Sequence, residues 1–161
     1  MAGSDAAITV AGLTVIDISV FVIDFRYKRD RNFPANRAFL DRVAEEGGDV
    51  TSIFNLLEVC GILSFNLNEK QLRELFFYFS DHYHIDVLPH TSREGFLPAF
   101  ELGDLFDIVL RRAGFGDALI IAAVEKYIAG AARFVSWNAE HFKGRLTFPS
   151  LAPREYLKKA E

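Results

Sequence analysis

Leu13-Thr14-Val15-Ile16-Asp17-Ile18-Ser19-Val20-Phe21-Val22 is an apolar, β-branched run broken only by one acid and one threonine–serine pair of hydroxyls. Such a run is how a central parallel strand reads when both faces of its sheet are covered, which predicts a first strand with Asp17 near its carboxyl end. An ionisable group in that setting is costly without a partner. Two further acids stand against apolar runs: Glu58 in Ile53-Phe54-Asn55-Leu56-Leu57-Glu58-Val59-Cys60, and Asp117 in Gly114-Phe115-Gly116-Asp117-Ala118-Leu119-Ile120-Ile121. Carboxylates are seldom buried unless something offsets their desolvation, and a divalent cation shared by several of them does so. Three such positions in one small chain point to a metal centre.

Outward from that first run, punctuation and periodicity predict alternating elements. Pro34 starts a helix over residues 34–46, stopped by Gly47-Gly48, and residues 49–53 form a short second strand. A helix over 54–65 carries Glu58 in its second turn, a second helix covers 69–80, and a third strand over 85–89 ends at Pro89. Residues 94–112 read as one long or broken helix, and Asp117 opens another that runs to about residue 129. Residues 133–136 are the fourth strand, 137–143 a turn or short helix, and 146–148 an edge strand. Strands alternating with helices predict a three-layer α/β/α fold around a central, mainly parallel sheet of four to five strands. The 161 residues fit one domain, with an ordered core over about 13–157.

Half of the residues are hydrophobic and 16 are Phe, enough for a packed core and far from a disordered composition. The single Cys60 excludes an internal disulfide and suits a buried thiol in a reducing compartment. The start, Met1-Ala2-Gly3-Ser4-Asp5, has no basic n-region, and no apolar run reaches the ~18 residues needed to cross a bilayer, so a cytoplasmic protein with no membrane span is expected. The net charge of −4 argues mildly against a nucleic-acid partner, but the charge is unevenly spread. Arg26, Lys28, Arg29, Arg31 and Arg37 face Asp30 alone, which makes this segment a candidate phosphate-binding edge; a solvated loop is the other reading.

In an open parallel sheet, ligands bind beyond the carboxyl ends of the strands. Asp17 at such an end, with Glu58 and Asp117 in the early turns of helices, would face one crevice. Oxygen ligands without a Cys or His set favour Mg²⁺ or Mn²⁺, and such a site suits activation of water for attack on a phosphodiester. Ser19 bonds a carboxylate oxygen or merely satisfies the turn. Blander readings stand beside these: Asp117 as an N-cap, Glu58 on a solvent face, and His82 and His84 as an aromatic cluster rather than metal ligands. The run Leu75-Phe76-Phe77-Tyr78-Phe79 fits core or a dimer face better than a base-stacking platform.

Taken in order, Val15-Ile16-Asp17-Ile18-Ser19, Asn55-Leu56-Leu57-Glu58-Val59, Gly116-Asp117-Ala118-Leu119-Ile120-Ile121-Ala122-Ala123 and Phe134-Val135-Ser136-Trp137-Asn138-Ala139-Glu140-His141-Phe142 resemble a PIN-domain ribonuclease of the VapC toxin type. The resemblance implies a Mg²⁺- or Mn²⁺-dependent endoribonuclease, with an RNA substrate, a homodimeric state and a small antitoxin partner. It implies Asp17, Glu58 and Asp117 as catalytic metal carboxylates, and Arg26, Lys28, Arg29 and Arg31 would then hold RNA. Where many members carry a fourth acid this chain has Asn138, with Glu140 two residues on; both are supporting candidates together with Ser19. Asn138 can still bond a metal-bound water but lacks the negative charge, which should weaken metal affinity or leave one ion bound. An RNA-binding or interaction module that keeps the fold without catalysis is the alternative. A phosphatase of the haloacid dehalogenase group ranks third, because it needs a second Asp where Ser19 stands.

Overall fold

The computed structural model describes residues 12–89 and 94–159. In chain order the elements are β1 (Leu13–Ile16), α1 (Ile18–Arg26), α2 (Phe33–Glu46), β2 (Val50–Ser52), α3 (Ile53–Leu63), α4 (Glu69–Tyr83) and β3 (Asp86–Leu88). These are followed by α5 (Leu102–Leu110), α6 (Phe115–Tyr127), β4 (Ala131–Val135), α7 (Ala139–Phe142), β5 (Ser150–Leu151) and α8 (Pro153–Lys159). The five strands form one all-parallel sheet in the order β3-β2-β1-β4-β5, as the alternating pattern predicts.

Alternation along the strands builds the three layers. In the β1–β4 ladder Val15 pairs with Phe134 and Ile16 with Val135, and successive side chains point to opposite faces. Val15 and Phe134 therefore join a core with Ile108, Ala118, Ile121 and Val124 of α5 and α6. Ile16 and Val135 join the other core, with Phe21, Phe39, Val59 and Phe79 of α1 to α4. Phe21 is fully buried and meets the Phe79 ring edge-on at a centroid distance of 4.8 Å. At the entry to β1, Gly12 lies so close to the Cβ of Ala132 that a side chain there has no room, and its φ of +49° also favours glycine.

The opening apolar run is not one strand. β1 ends at Ile16 and the remainder folds as α1, because Asp17 takes the extended conformation of an N-cap and its side chain accepts from the Ser19 amide. Val20, Phe21 and Ile23 are buried and Ile18, Val22 and Phe25 half-buried, so a helix covered nearly all round shows the continuous apolarity of a covered strand.

Three other boundaries move. The edge strand lies at 150–151 rather than 146–148, since β4 begins its pairing at the Pro149 carbonyl, which accepts from the Phe134 amide at 2.9 Å. Leu146 and Phe148 instead pack on the α5–α6 core. Only Leu102–Leu110 of the 94–112 stretch is helical; residues 96–101, around Pro98, have no regular structure. His82 lies in the last turn of α4 and His84 is its left-handed cap, so the two do not share a strand face. Among the described residues no helix is long and apolar enough to cross a membrane.

Candidate active site

β1 is the centre of the sheet, and the chain leaves it towards β2 on one side and β4 on the other; this switch point opens a crevice at the strands' carboxyl ends. Asp17 directly follows β1 and Ser136 directly follows β4, and the Ile16–Val135 register sets them side by side. Asp17 is 2 % exposed. Its Oδ2 accepts from the Ser136 hydroxyl at 2.7 Å, the Ser19 hydroxyl at 3.0 Å and the Ser19 amide at 3.4 Å.

With both hydroxyl protons directed at Oδ2, the serine oxygens still accept. Ser19 Oγ takes the Trp137 amide at 3.0 Å and Ser136 Oγ the Asn138 amide at 2.9 Å. Each serine thus ties a carboxylate oxygen to the chain after β4. The other oxygen, Oδ1, is buried and has no hydrogen-bond partner. A buried carboxylate oxygen without a donor is expensive unless a proton or cation meets it.

A second network supports the turn beneath it. The Ile16 carbonyl accepts from Thr51 Oγ1 at 2.6 Å and from Asn55 Nδ2 at 3.2 Å, all within a fully buried polar patch. Ser52 caps α3, its Oγ accepting the Asn55 amide, and that helix carries Glu58 one turn on. Asp117 lies in the first turn of α6, where Gly114 is the cap and the Asp117 side chain makes no cap bond, so the N-cap reading of this acid fails.

Burial pushes the Asp17 carboxyl above its usual range, and the two serine hydroxyls and the Ser19 and Ile18 amides pull it back. The Glu58 carboxyl is raised by partial burial and then by the charges of Asp17 and Asp117. Glu58 therefore stands within electrostatic reach of both Asp17 and Asp117. Among the described residues, no three His, Cys, Asp or Glu side chains converge tightly enough, as they stand, to surround an ion. Glu58 is exposed and Asp117 half-buried.

Ser19 bonds the Asp17 carboxylate, the first of its two expected arrangements. Asn138 donates its amide to Ser136 Oγ, and its side chain is exposed. Glu140 is exposed and pairs with Lys143, and is not among the charges acting on Glu58. Arg26, Lys28, Arg29 and Arg31 are exposed in and after the last turn of α1. Among the described residues none of these four forms an ion pair. Arg37, by contrast, bonds Asp24 at 2.8 Å and Asp41 at 2.9 Å, and is a structural cation.

Sequence reasoning gave Ser136, Thr51 and Asn55 no role. Each is a small polar residue inside an apolar run, the same signal that marked Asp17, but without a charge to draw notice. A recess of about 950 Å³ lies at the amino ends of the strands, around Leu13, Glu46, Asp49 and Tyr156, and is not lined by Asp17, Glu58 or Asp117.

No protein-family model matches this sequence, and no curated protein matches it. Among solved structures, FitAcB from Neisseria gonorrhoeae is similar, with a TM-score of 0.58 at 13 % identity over 88 % of this chain and 99 % of that one. VapBC-1 from nontypeable Haemophilus influenzae gives a TM-score of 0.57 at 14 % identity over 88 % and 98 % of the two chains. VapBC2 from Rickettsia felis, bound to a DNA fragment from its promoter, gives 0.54 at 16 % identity over 87 % and 98 %. These likenesses establish the fold as the PIN-like α/β/α arrangement.

Proposed function

We propose that this PIN-like chain is an endoribonuclease that hydrolyses RNA phosphodiester bonds with Mg²⁺ or Mn²⁺, and that it is the toxin of a toxin–antitoxin pair. The observation that carries the reading is Asp17: one oxygen held by two serines, the other buried and unpartnered, in a carboxyl electrostatically coupled to Glu58 and, through it, to Asp117. Oxygen donors of this kind and charge fit a hard divalent cation. Glu58, exposed and with the longest side chain of the three, would complete the set by rotation.

A bound cation would supply Lewis acidity at a phosphoryl oxygen and a water of lowered pKa. The chain's own contribution is placement. Ser19 and Ser136 fix the Asp17 rotamer through Oδ2 and leave Oδ1 without a donor, and the Thr51–Asn55 network fixes the turn that carries it. Arg26, Lys28, Arg29 and Arg31 offer unpaired positive charge for the RNA backbone. The likeness to chains of VapBC and FitAB assemblies supports a small antitoxin as partner, and exposed Phe65, Phe77 and Tyr78 supply apolar surface for a homodimer.

The test is cleavage of a fluorescent RNA by purified full-length protein with added Mg²⁺ or Mn²⁺. The double substitution Asp17→Asn with Asp117→Asn should abolish cleavage; undiminished cleavage by that variant overturns the assignment. The exposed Asn138 side chain, standing where a fourth acid is common, favours a second reading, a PIN-fold binding module with weakened catalysis. Calorimetric titration with Mn²⁺ that gives no heat, together with intact RNA, would decide for it.

A further inference from the structure

We propose that Trp137, Arg154 and Arg31 form a subsite for one nucleotide of a single-stranded nucleic acid, next to the carboxylates; the inference rests on the nuclease reading and adds where the strand runs. The Trp137 amide donates to Ser19 Oγ at 3.0 Å, and that hydroxyl donates to Asp17 at 3.0 Å, so the indole begins one residue from the site. Its Nε1 donates to Asn36 Oδ1 at 2.7 Å, and Asn36 Nδ2 donates to the Val20 carbonyl at 2.9 Å. The ring is therefore clamped at both ends. It packs half-buried on the α1–α4 core, leaving one part to solvent.

Over that ring stands the Arg154 guanidinium, 5.8 Å from its centroid. Arg154 is exposed and, among the described residues, is otherwise held only by a long 3.4 Å bond to the Arg31 carbonyl, while Arg31 is itself exposed. Among the described residues neither cation pairs with a carboxylate. A rigid indole under a loosely held cation, with the backbone of the exposed Arg31 in contact with that cation, has the two elements that single strands need: a stacking face and charge for the backbone. A base takes the indole face, Arg154 turns to the flanking phosphate, and Arg31 continues the positive track to Arg29 and Lys28. A duplex, with its bases stacked inside, cannot use the ring.

Trp137 is the single tryptophan of the chain, so the native protein reports on this subsite by its own fluorescence. Full-length protein in EDTA is titrated with a single-stranded RNA, the same sequence as DNA, and a blunt DNA duplex, with anisotropy of a labelled end read in parallel. Both single strands should quench Trp137 in step with binding. Arg154→Ala, an exposed substitution, should weaken single-strand binding about fivefold and lower the slope of log K against log salt by about 0.7, while Trp137→Phe should weaken binding with the fold intact by circular dichroism. Binding without quenching, equal quenching by the duplex, or an unaltered salt slope in Arg154→Ala each overturns the subsite. If single strands quench but no RNA is cut, the nuclease reading falls and the subsite stands. If RNA is cut with an unchanged KM in Arg154→Ala, the subsite falls and the nuclease stands.

Discussion

Ser136 donates its hydroxyl proton to Asp17 Oδ2 at 2.7 Å, joining two residues 119 positions apart that follow adjacent parallel strands. The bond spans the switch point of the sheet, and it helps decide which Asp17 oxygen is left without a donor. Removing the hydroxyl leaves Oδ2 with the weaker Ser19 donors and frees the side chain to turn. Ser136→Ala should therefore weaken Mn²⁺ binding by about 10- to 100-fold, as loss of a supporting bond to a ligand does. Calorimetry measures it, and an unchanged affinity would deny Ser136 a positioning role.

A cation that binds only the folded chain stabilises it by mass action, by about 2.7 kcal/mol at one hundred times the dissociation constant. For a chain of this length that corresponds to a rise in Tm of roughly 5–10 °C. Thermal melts should show this rise with saturating Mn²⁺ for the native protein and not for Asp17→Asn. An equal rise in both would place the cation elsewhere.

Asp49 gives a pH dependence independent of the site. Burial pushes its carboxyl from 3.8 up to about 6, against the Thr14 amide that donates to Oδ1 at 3.2 Å, while Oδ2 is buried without a partner. Because the fold binds this proton more tightly than the unfolded chain, the stability it contributes is present below about pH 4 and is lost as pH rises through about 6. Asp49→Asn keeps the acceptor for Thr14 and removes the charge. The Tm of Asp49→Asn minus that of the native protein should grow between about pH 4 and pH 7; a flat difference contradicts the assignment.

Cys60 is half-buried in α3, and burial pushes its thiol from 9.0 up to about 11. Only the thiolate is nucleophilic. At pH 8 the native protein should react with a disulfide reagent far more slowly than the protein in denaturant, as followed by absorbance.

Packing at the α1–α4 core is testable at Phe21, which is fully buried and in ring contact with Phe79 and Tyr83. Phe21→Ala should cost about 3–5 kcal/mol in urea unfolding. The exposed Phe96→Ala should lie within about 0.5 kcal/mol of the native protein.

Element types were legible wherever apolar spacing and punctuation agreed. The helix ended by Gly47 and the strands beginning near residues 50, 86 and 131 fall within a few residues of their expected places. The opening run was misread in length because α1 is covered by its neighbours, and a covered helix and a covered strand show the same apolar string. The acids were legible because a charge inside such a string has few cheap explanations. Ser136, Thr51 and Asn55 were not, since a small hydroxyl or amide is tolerated in many settings, and its importance here comes from what stands across the sheet.

By itself the sequence determined the alternation of strands and helices, the apolar supply for two cores, and the three carboxylates set against apolar runs, since these follow from residue type and local period. Only the tertiary structure decided that Asp17 caps α1 rather than ending a long strand, that Ser136 and Ser19 hold one of its oxygens while the other stays unpartnered, and that Arg154 lies over Trp137. Each of these depends on which strand lies beside which, and the parallel register between β1 and β4 is a long-range choice that no local spacing encodes.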